Sequence, residues 1–208
     1  MALKIEPEFK EALLNLPEKE KDKYFLRLLK KDDILFHRLH FELVSEDTQD
    51  DRRNALEQDI LHRIQNSVTR SANKIKSILR YISGDITYHV RTTNDKFGEP
   101  YLNTVMLIAA LKQFNSAISK HPNFQIEKLN KYIVARIFKI LMLVEKLHED
   151  DQFEFDALFE ELADLIEKND LLKEKLNDAD FDYDWLHHND IPEDLNMHVK
   201  QVRSRGVI

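Results

Sequence analysis

Two carboxylate–histidine pairs stand at a spacing of three, Asp59 with His62 and Glu145 with His148. On a helix that spacing puts both side chains on one face, as a di-metal site held between four helices requires. Such a site needs two further carboxylates. Glu42 and Glu160 lie on other periodic segments, but nothing in the pattern selects them. A second constellation places Asp178, Asp180, Asp182 and Asp184 at alternate positions, and clustered oxygens are what a hard cation such as calcium takes. Counted as a calcium loop from Asp178, the run has Tyr183 at its sixth position, where glycine is needed for the sharp turn. Its twelfth position is Asn189 in place of glutamate. His187 and His188 beside Asp190 offer imidazoles to a transition metal, although exposure in a polar stretch explains them better. Nucleophilic catalysis has no support. The chain has no cysteine, no Gly-x-Ser-x-Gly and no phosphate-cradling glycine loop.

Glu160-Glu161-Leu162-Ala163-Asp164 contains a Glu-x-x-Asp pair, Glu161 and Asp164. The pair resembles the second half of the metal site in the all-α nucleoside triphosphate pyrophosphatases. The expected upstream element is Glu-Glu-x-x-Glu. Here Glu145-Lys146-Leu147-His148-Glu149 supplies two carboxylates at a spacing of four without the adjacent pair. The resemblance is confined to residues 145–164. It implies Mg²⁺ held by Glu145, Glu149, Glu161 and Asp164, polarising a phosphoryl group and activating water. A Mg²⁺-dependent hydrolase of this kind is the alternative to a protein with no catalytic residue and no cofactor.

Charge is strongly segregated. Residues 52–150 carry sixteen Lys/Arg against nine Asp/Glu, and residues 151–195 carry three against sixteen. On one continuous helix Arg52, Arg63, Arg70 and Lys74 fall within about 40° of each other along roughly 33 Å. That basic stripe suits an acidic protein surface. Nucleic acid is disfavoured, because the net charge is −7 and no aromatic residues interleave the cations for base stacking. In the acidic segment Phe181, Tyr183 and Trp185 alternate with the aspartates. Either these rings anchor the segment on the core, or the segment docks on the basic stripe or on a partner.

The elements that position these residues are helical. Three glycines and five prolines leave little room for a turn-rich β design. Apolar residues recur at spacings of three and four almost throughout. Helices are expected over Glu8–Leu16, with Phe9, Leu13 and Leu16 inward, and after Pro17, with Tyr24, Phe25, Leu28 and Leu29 as a buried stripe. A third, capped by Asp32 or Asp33, carries Ile34, Leu35, Leu39 and Leu43. Leu61, Ile64, Val68, Ala72, Ile75, Leu79 and Ile82 predict one long helix from about Asp51, with Gly84 as its stop. Ile86, Tyr88 and Val90 alternate like a strand, while Ile82, Ile86 and Val90 extend the helical face; the segment is read as helix. Asn94–Gly98 is a loop, and Pro100 opens a helix to about Ser119. His121-Pro122-Asn123 is a break, followed by helices over Ile126–His148, Phe153–Lys168 and Leu171–Leu176, with a short terminal helix from Pro192.

Leu28–Leu39 aligns without gaps to Leu165–Leu176, as a helix end, a polar capping turn and a new helix start. Leu13–Val44 resembles a HEAT-like hairpin in its helix lengths and short connection. The expected fold is all-α, with seven to nine helices arranged as helical hairpins, either a HEAT-like α-solenoid or an irregular bundle. It comprises an all-helical domain over 1–176 (hairpin region 1–46, long-helix core 47–150, C-terminal hairpin 151–176) and an acidic–aromatic tail over 177–208. No apolar run is long enough to span a bilayer, and the N-terminus has no signal-peptide pattern. With no cysteine, a soluble cytoplasmic protein is expected. The function these features support is protein–protein interaction or scaffolding. The candidate surface is Arg52, Arg63, Arg70, Lys74, Phe181, Tyr183 and Trp185, facing a protein partner or the chain's own acidic tail.

Overall fold

A computed structural model describes residues 4–118 and 123–208. The described residues form helices and no strand, and more helices than the seven to nine expected. The chain divides into two compact units, Met1–Glu46 and Asp47–Ile208. Residues 177–208 therefore belong to the second unit and are not a separate tail.

The first unit contains α1 (Pro7–Leu14), α2 (Glu18–Leu29) and α3 (Asp33–Leu43). Asp32 caps α3 as expected, its side chain accepting from the Leu35 N–H at 3.0 Å. The apolar stripes read as buried are not buried. Phe9, Leu13, Tyr24, Phe25 and Leu28 are exposed, and none of the described residues 4–46 is buried. Three short helices enclose too little volume to sequester a side chain.

The second unit runs from α4 (Gln49–Gln65) through α5 (Ala72–Thr93), α6 (Gly98–Ile118), α7 (Asn123–Val144), α8 (Glu149–Phe153), α9 (Asp156–Glu167), α10 (Asp170–Asp178), α11 (Asp184–His187) and α12 (Leu195–Ser204). Helix α6 packs against α4, α5, α7 and α9, while α10 and α12 pack on α7. Its Leu102, Val105, Met106, Leu107, Ile108 and Leu111 are buried around nearly the whole circumference, as a central helix requires.

The long helix predicted from about Asp51 is two helices. Helix α4 begins at a capping box in which Thr48 and Asp51 bond reciprocally. It ends where Asn66, Ser67, Val68 and Thr69, all weak helix formers, follow in sequence. The Asn66 amide donates to the His62 carbonyl, and Gln113 of α6 donates to the carbonyls of Gln65 and Ser67. Val68, expected on the apolar face, is 94% exposed in this loop.

Gly84 does not stop α5. Ile82 and Ile86 are both fully buried, and continuing their face outweighs the roughly 1 kcal/mol that a mid-helix glycine costs. Residues 85–93 are helical. The stop is Asn94, in the left-handed conformation at φ 59°, its N–H bonded to the Val90 carbonyl at 2.8 Å. The predicted break at His121 and Pro122 lies outside the described residues. The helix expected over Phe153–Lys168 is α9, which begins at Asp156 after the buried Phe155, and the short α8 before it was not expected.

Candidate functional site

The four cations of the predicted stripe do not share a helix. Arg52 and Arg63 are on α4, Arg70 is in the α4–α5 loop, and Lys74 is in the first turn of α5. Helix α5 folds back along α4, with Gln49 of α4 donating to the Thr93 carbonyl at its far end. Arg52 pairs with Asp47 at 2.7 Å. Arg63 pairs with Asp59 and with Asp85, the latter at 2.7 Å across the two helices. The Asp85 hydrogen bond first, and Asp59 after it, raise the Arg63 guanidinium above its ordinary pKa despite partial burial. Lys74 lines a shallow cleft with Thr69, Asn73, Ser77, Ile78 and Tyr81.

The three aromatic rings face inward. Phe181 is buried, with its ring centroid 5.7 Å from Phe138 of α7 and 5.1 Å from Trp185. Tyr183 meets Phe181 edge-on at 5.5 Å. Burial, and then the Glu167 charge, raise the Tyr183 phenol above its ordinary pKa. Leu186, Leu195, Val199 and Val202 are buried in the same core. Of the neighbouring aspartates, Asp180 pairs with Arg205 of the same segment and Asp178 with Lys175.

The carboxylates of the alternative reading do not assemble. Among the described residues no group of three or more His, Asp or Glu is placed to hold a metal ion. Glu145 follows the end of α7, Glu149 opens α8, and Glu161 and Asp164 stand on α9. Glu161 is instead paired with Lys112 of α6. The same finding covers Asp59 with His62, Glu145 with His148, and the Asp178 and His187 runs. His148 has a local structural role, its ring nitrogen accepting from the Asp150 N–H at the start of α8.

The strongest polar centre was not singled out from sequence. Asp95 lies in the α5–α6 loop and is 2% exposed. It receives Arg53 of α4 in a two-point bond at 2.7 and 3.0 Å, the Gly98 N–H at 2.8 Å, and lies 3.1 Å from His89 Nε2 of α5. The Arg53 guanidinium also stands 4.8 Å over the Phe97 ring. Burial by itself would raise the Asp95 pKa. The bonds from His89, Arg53 and Gly98, together with the Arg53 charge, outweigh it and hold the pKa at about 2. A side chain at Gly98 would put its Cβ 2.1 Å from Asp95 Oδ2, so the loop closes this tightly only on a glycine. The centre ties three helix ends together. The signal in the sequence was Asp95 three residues before Gly98, at the start of a helix; its partners Arg53 and His89 lie far off along the chain.

Beside this centre, α4, α6 and α9 form a groove of about 550 Å³. Leu61, Val105, Ile108, Ala109 and Leu158 make its floor, while Glu57, Tyr101, Lys112 and Glu161 stand at its rim. The Tyr101 hydroxyl donates to Glu57 at 3.0 Å, and the Lys112–Glu161 pair closes the other edge. Burial, then the Glu57 bond and charge, raise the Tyr101 phenol above its ordinary pKa, so it serves as a fixed donor.

Comparison of the chain with protein-family models, curated proteins and solved structures found no match. Fold and sites therefore define an all-helical protein in two units. No helix among the described residues is long and apolar enough to cross a membrane.

Proposed function

We propose that this protein is a protein–protein interaction or scaffolding module, and that its docking surface is the first unit. One observation carries the reading: large apolar side chains along α1–α3, including Phe9, Phe25, Leu28, Phe36 and Leu43, are exposed, with no buried residue among the described residues 4–46. Large apolar side chains exposed in this number point to an interaction site. The second unit supports the reading as a rigid platform. Its helices gather around α6, which fits an irregular bundle better than a HEAT-like stack whose repeats touch only their neighbours.

The basic side chains form a lesser contact zone, since Arg63 is already engaged by two carboxylates. The Mg²⁺-dependent hydrolase draws no support from the separate placements of Glu145, Glu149, Glu161 and Asp164.

Affinity capture from lysate tests the proposal, comparing the full wild-type chain with a Phe25→Asp/Leu28→Asp variant and an Arg63→Gln/Lys74→Gln variant. The apolar-face variant is expected to lose most of the captured material, and the charge variant to keep most of it. Equal capture by wild type and the apolar-face variant would overturn the assignment of the docking surface.

A further inference from the structure

The internal match between Leu28–Leu39 and Leu165–Leu176 has a structural counterpart. Asp32 and Asn169 occupy the same position in the two segments and hold nearly the same backbone, φ −119°, ψ 96° and φ −128°, ψ 91°. Each side chain accepts from the N–H three residues on, at 3.0 and 3.1 Å. The two helix–cap–helix devices differ in what covers them. In the second unit, α9 packs on α6 and α10 on α7, and Ile166, Leu172 and Leu176 are fully buried. Their counterparts Leu29, Leu35 and Leu39 are only half-buried, and Leu28 is exposed. The α2–α3 pair thus has an apolar face of the kind that its twin places against two further helices.

The area left open is that of an interface. Eleven large apolar side chains between Ile5 and Val44 are 42–77% exposed. Leu26 points away, about 160° from Tyr24 around α2, and so does Leu14, about 140° from Phe9 around α1. At roughly 90 Å² apiece the other nine, spread over α1–α3, expose on the order of 800 Å², comparable with the roughly 800 Å² per partner that a standard stable interface buries. Helices this short, with no buried side chain, do not hold their shape on local propensity alone. Folded units of about 40 residues generally need oligomerisation or a covalent staple, and a chain with no cysteine has no disulfide to supply.

Charge selects the occupant. Residues 1–46 carry nine Lys/Arg and ten Asp/Glu, interspersed. A face meant for a strongly basic or acidic partner would carry the opposite sign. A near-neutral apolar face with mixed charges around it is compatible with its own copy, with no net repulsion to overcome.

We propose that the first unit is a homodimerisation element, in which α1–α3 of two copies pack their apolar faces together about a two-fold axis. The proposal rests on the interaction reading above and names the partner as a second copy of this chain. In such an isologous interface each half supplies the cover that the other lacks, as α6 and α7 do for the twin device.

Sedimentation of the full chain from low micromolar to several hundred micromolar tests this. Wild type is expected to sediment at twice the chain mass in the upper part of that range, and Phe25→Asp/Leu28→Asp at the chain mass throughout. A Leu28→Cys chain, otherwise free of cysteine, supplies a test that does not depend on the aspartate variant folding. A flexible bismaleimide should join it into a covalent dimer, and should leave Tyr81→Cys, exposed on α5, as monomer. Monomeric wild type at every concentration overturns the proposal, as does a dimer that survives the aspartate substitutions. If the wild type is monomeric but still captures another protein through the same face, this inference fails and the interaction reading stands. If it does neither, both fail.

Discussion

Asp95 stays ionised inside the second unit because Arg53, His89 and the Gly98 N–H all point at it. Asp95→Asn keeps the shape of the side chain but strands a mostly buried guanidinium beside a neutral amide. Breaking a buried pair in this way costs about 3 kcal/mol, measurable as a lower urea midpoint at pH 7. The pH dependence has a definite sign. The folded pKa of about 2 lies below the ordinary 3.8, so the carboxylate stabilises the fold above about pH 4. That contribution, about 2 kcal/mol by linkage, is lost as pH falls through the folded value. The gap between wild type and Asp95→Asn should therefore be constant from pH 7 to 5 and narrow toward pH 2. A gap that widens on acidification would contradict the assignment. The sequence exposed only a fragment of this site. Asp95 and Gly98 are close along the chain, but Arg53 is forty-two residues from Asp95 and meets it only because α5 folds back along α4.

The paired caps separate what a helix carries locally from what its cover adds. Asp32 and Asn169 make the same bond, but Asn169 is buried and its amide also donates to Asn115 of α6 at 2.9 Å. Asp32→Ala should cost about 1 kcal/mol, the usual worth of an exposed N-cap, seen as faster hydrogen exchange over the first turn of α3. Asn169→Ala removes a buried cap and also leaves the partly buried Asn115 carbonyl oxygen without that donor, so about 2 kcal/mol is expected from denaturant unfolding. Equal costs at both sites would mean that burial adds nothing to the cap. At this scale much was legible. Periodicity located the helices, and residue type narrowed the cap of α3 to Asp32 or Asp33. Periodicity also joined α4 to α5, because Ile64, Val68 and Ala72 keep helical spacing across a loop that Gln113 stabilises from another helix. Nor could it distinguish an apolar face that is covered within the chain, as in α10, from one that is open, as in α2.

The acidic segment shows that composition alone misjudges which part of the molecule a residue belongs to. Residues 151–195 carry three Lys/Arg against sixteen Asp/Glu, a balance that suggests solvated chain, yet every few residues one side chain is driven into the second unit. Phe155, Phe159, Phe181, Leu186 and Leu195 are all buried, and the aspartates between them remain at the surface. Segment and core should then unfold together. Phe181→Ala removes a ring in contact with Phe138 and Trp185, at about 3 kcal/mol for a buried phenylalanine. For a unit of this size that corresponds to a drop of roughly 10 °C in Tm. Limited trypsin digestion gives an independent reading. Lys200, Arg203 and Arg205 lie on or just after α12, whose Val199 and Val202 are buried. In wild type these sites should be cut no faster than the unit unfolds globally, and in Phe181→Ala faster by the factor of about a hundred that 3 kcal/mol implies. Rapid cleavage at Lys200 in the wild type, with α4–α7 left intact, would instead mean that the segment opens independently of the core it lines.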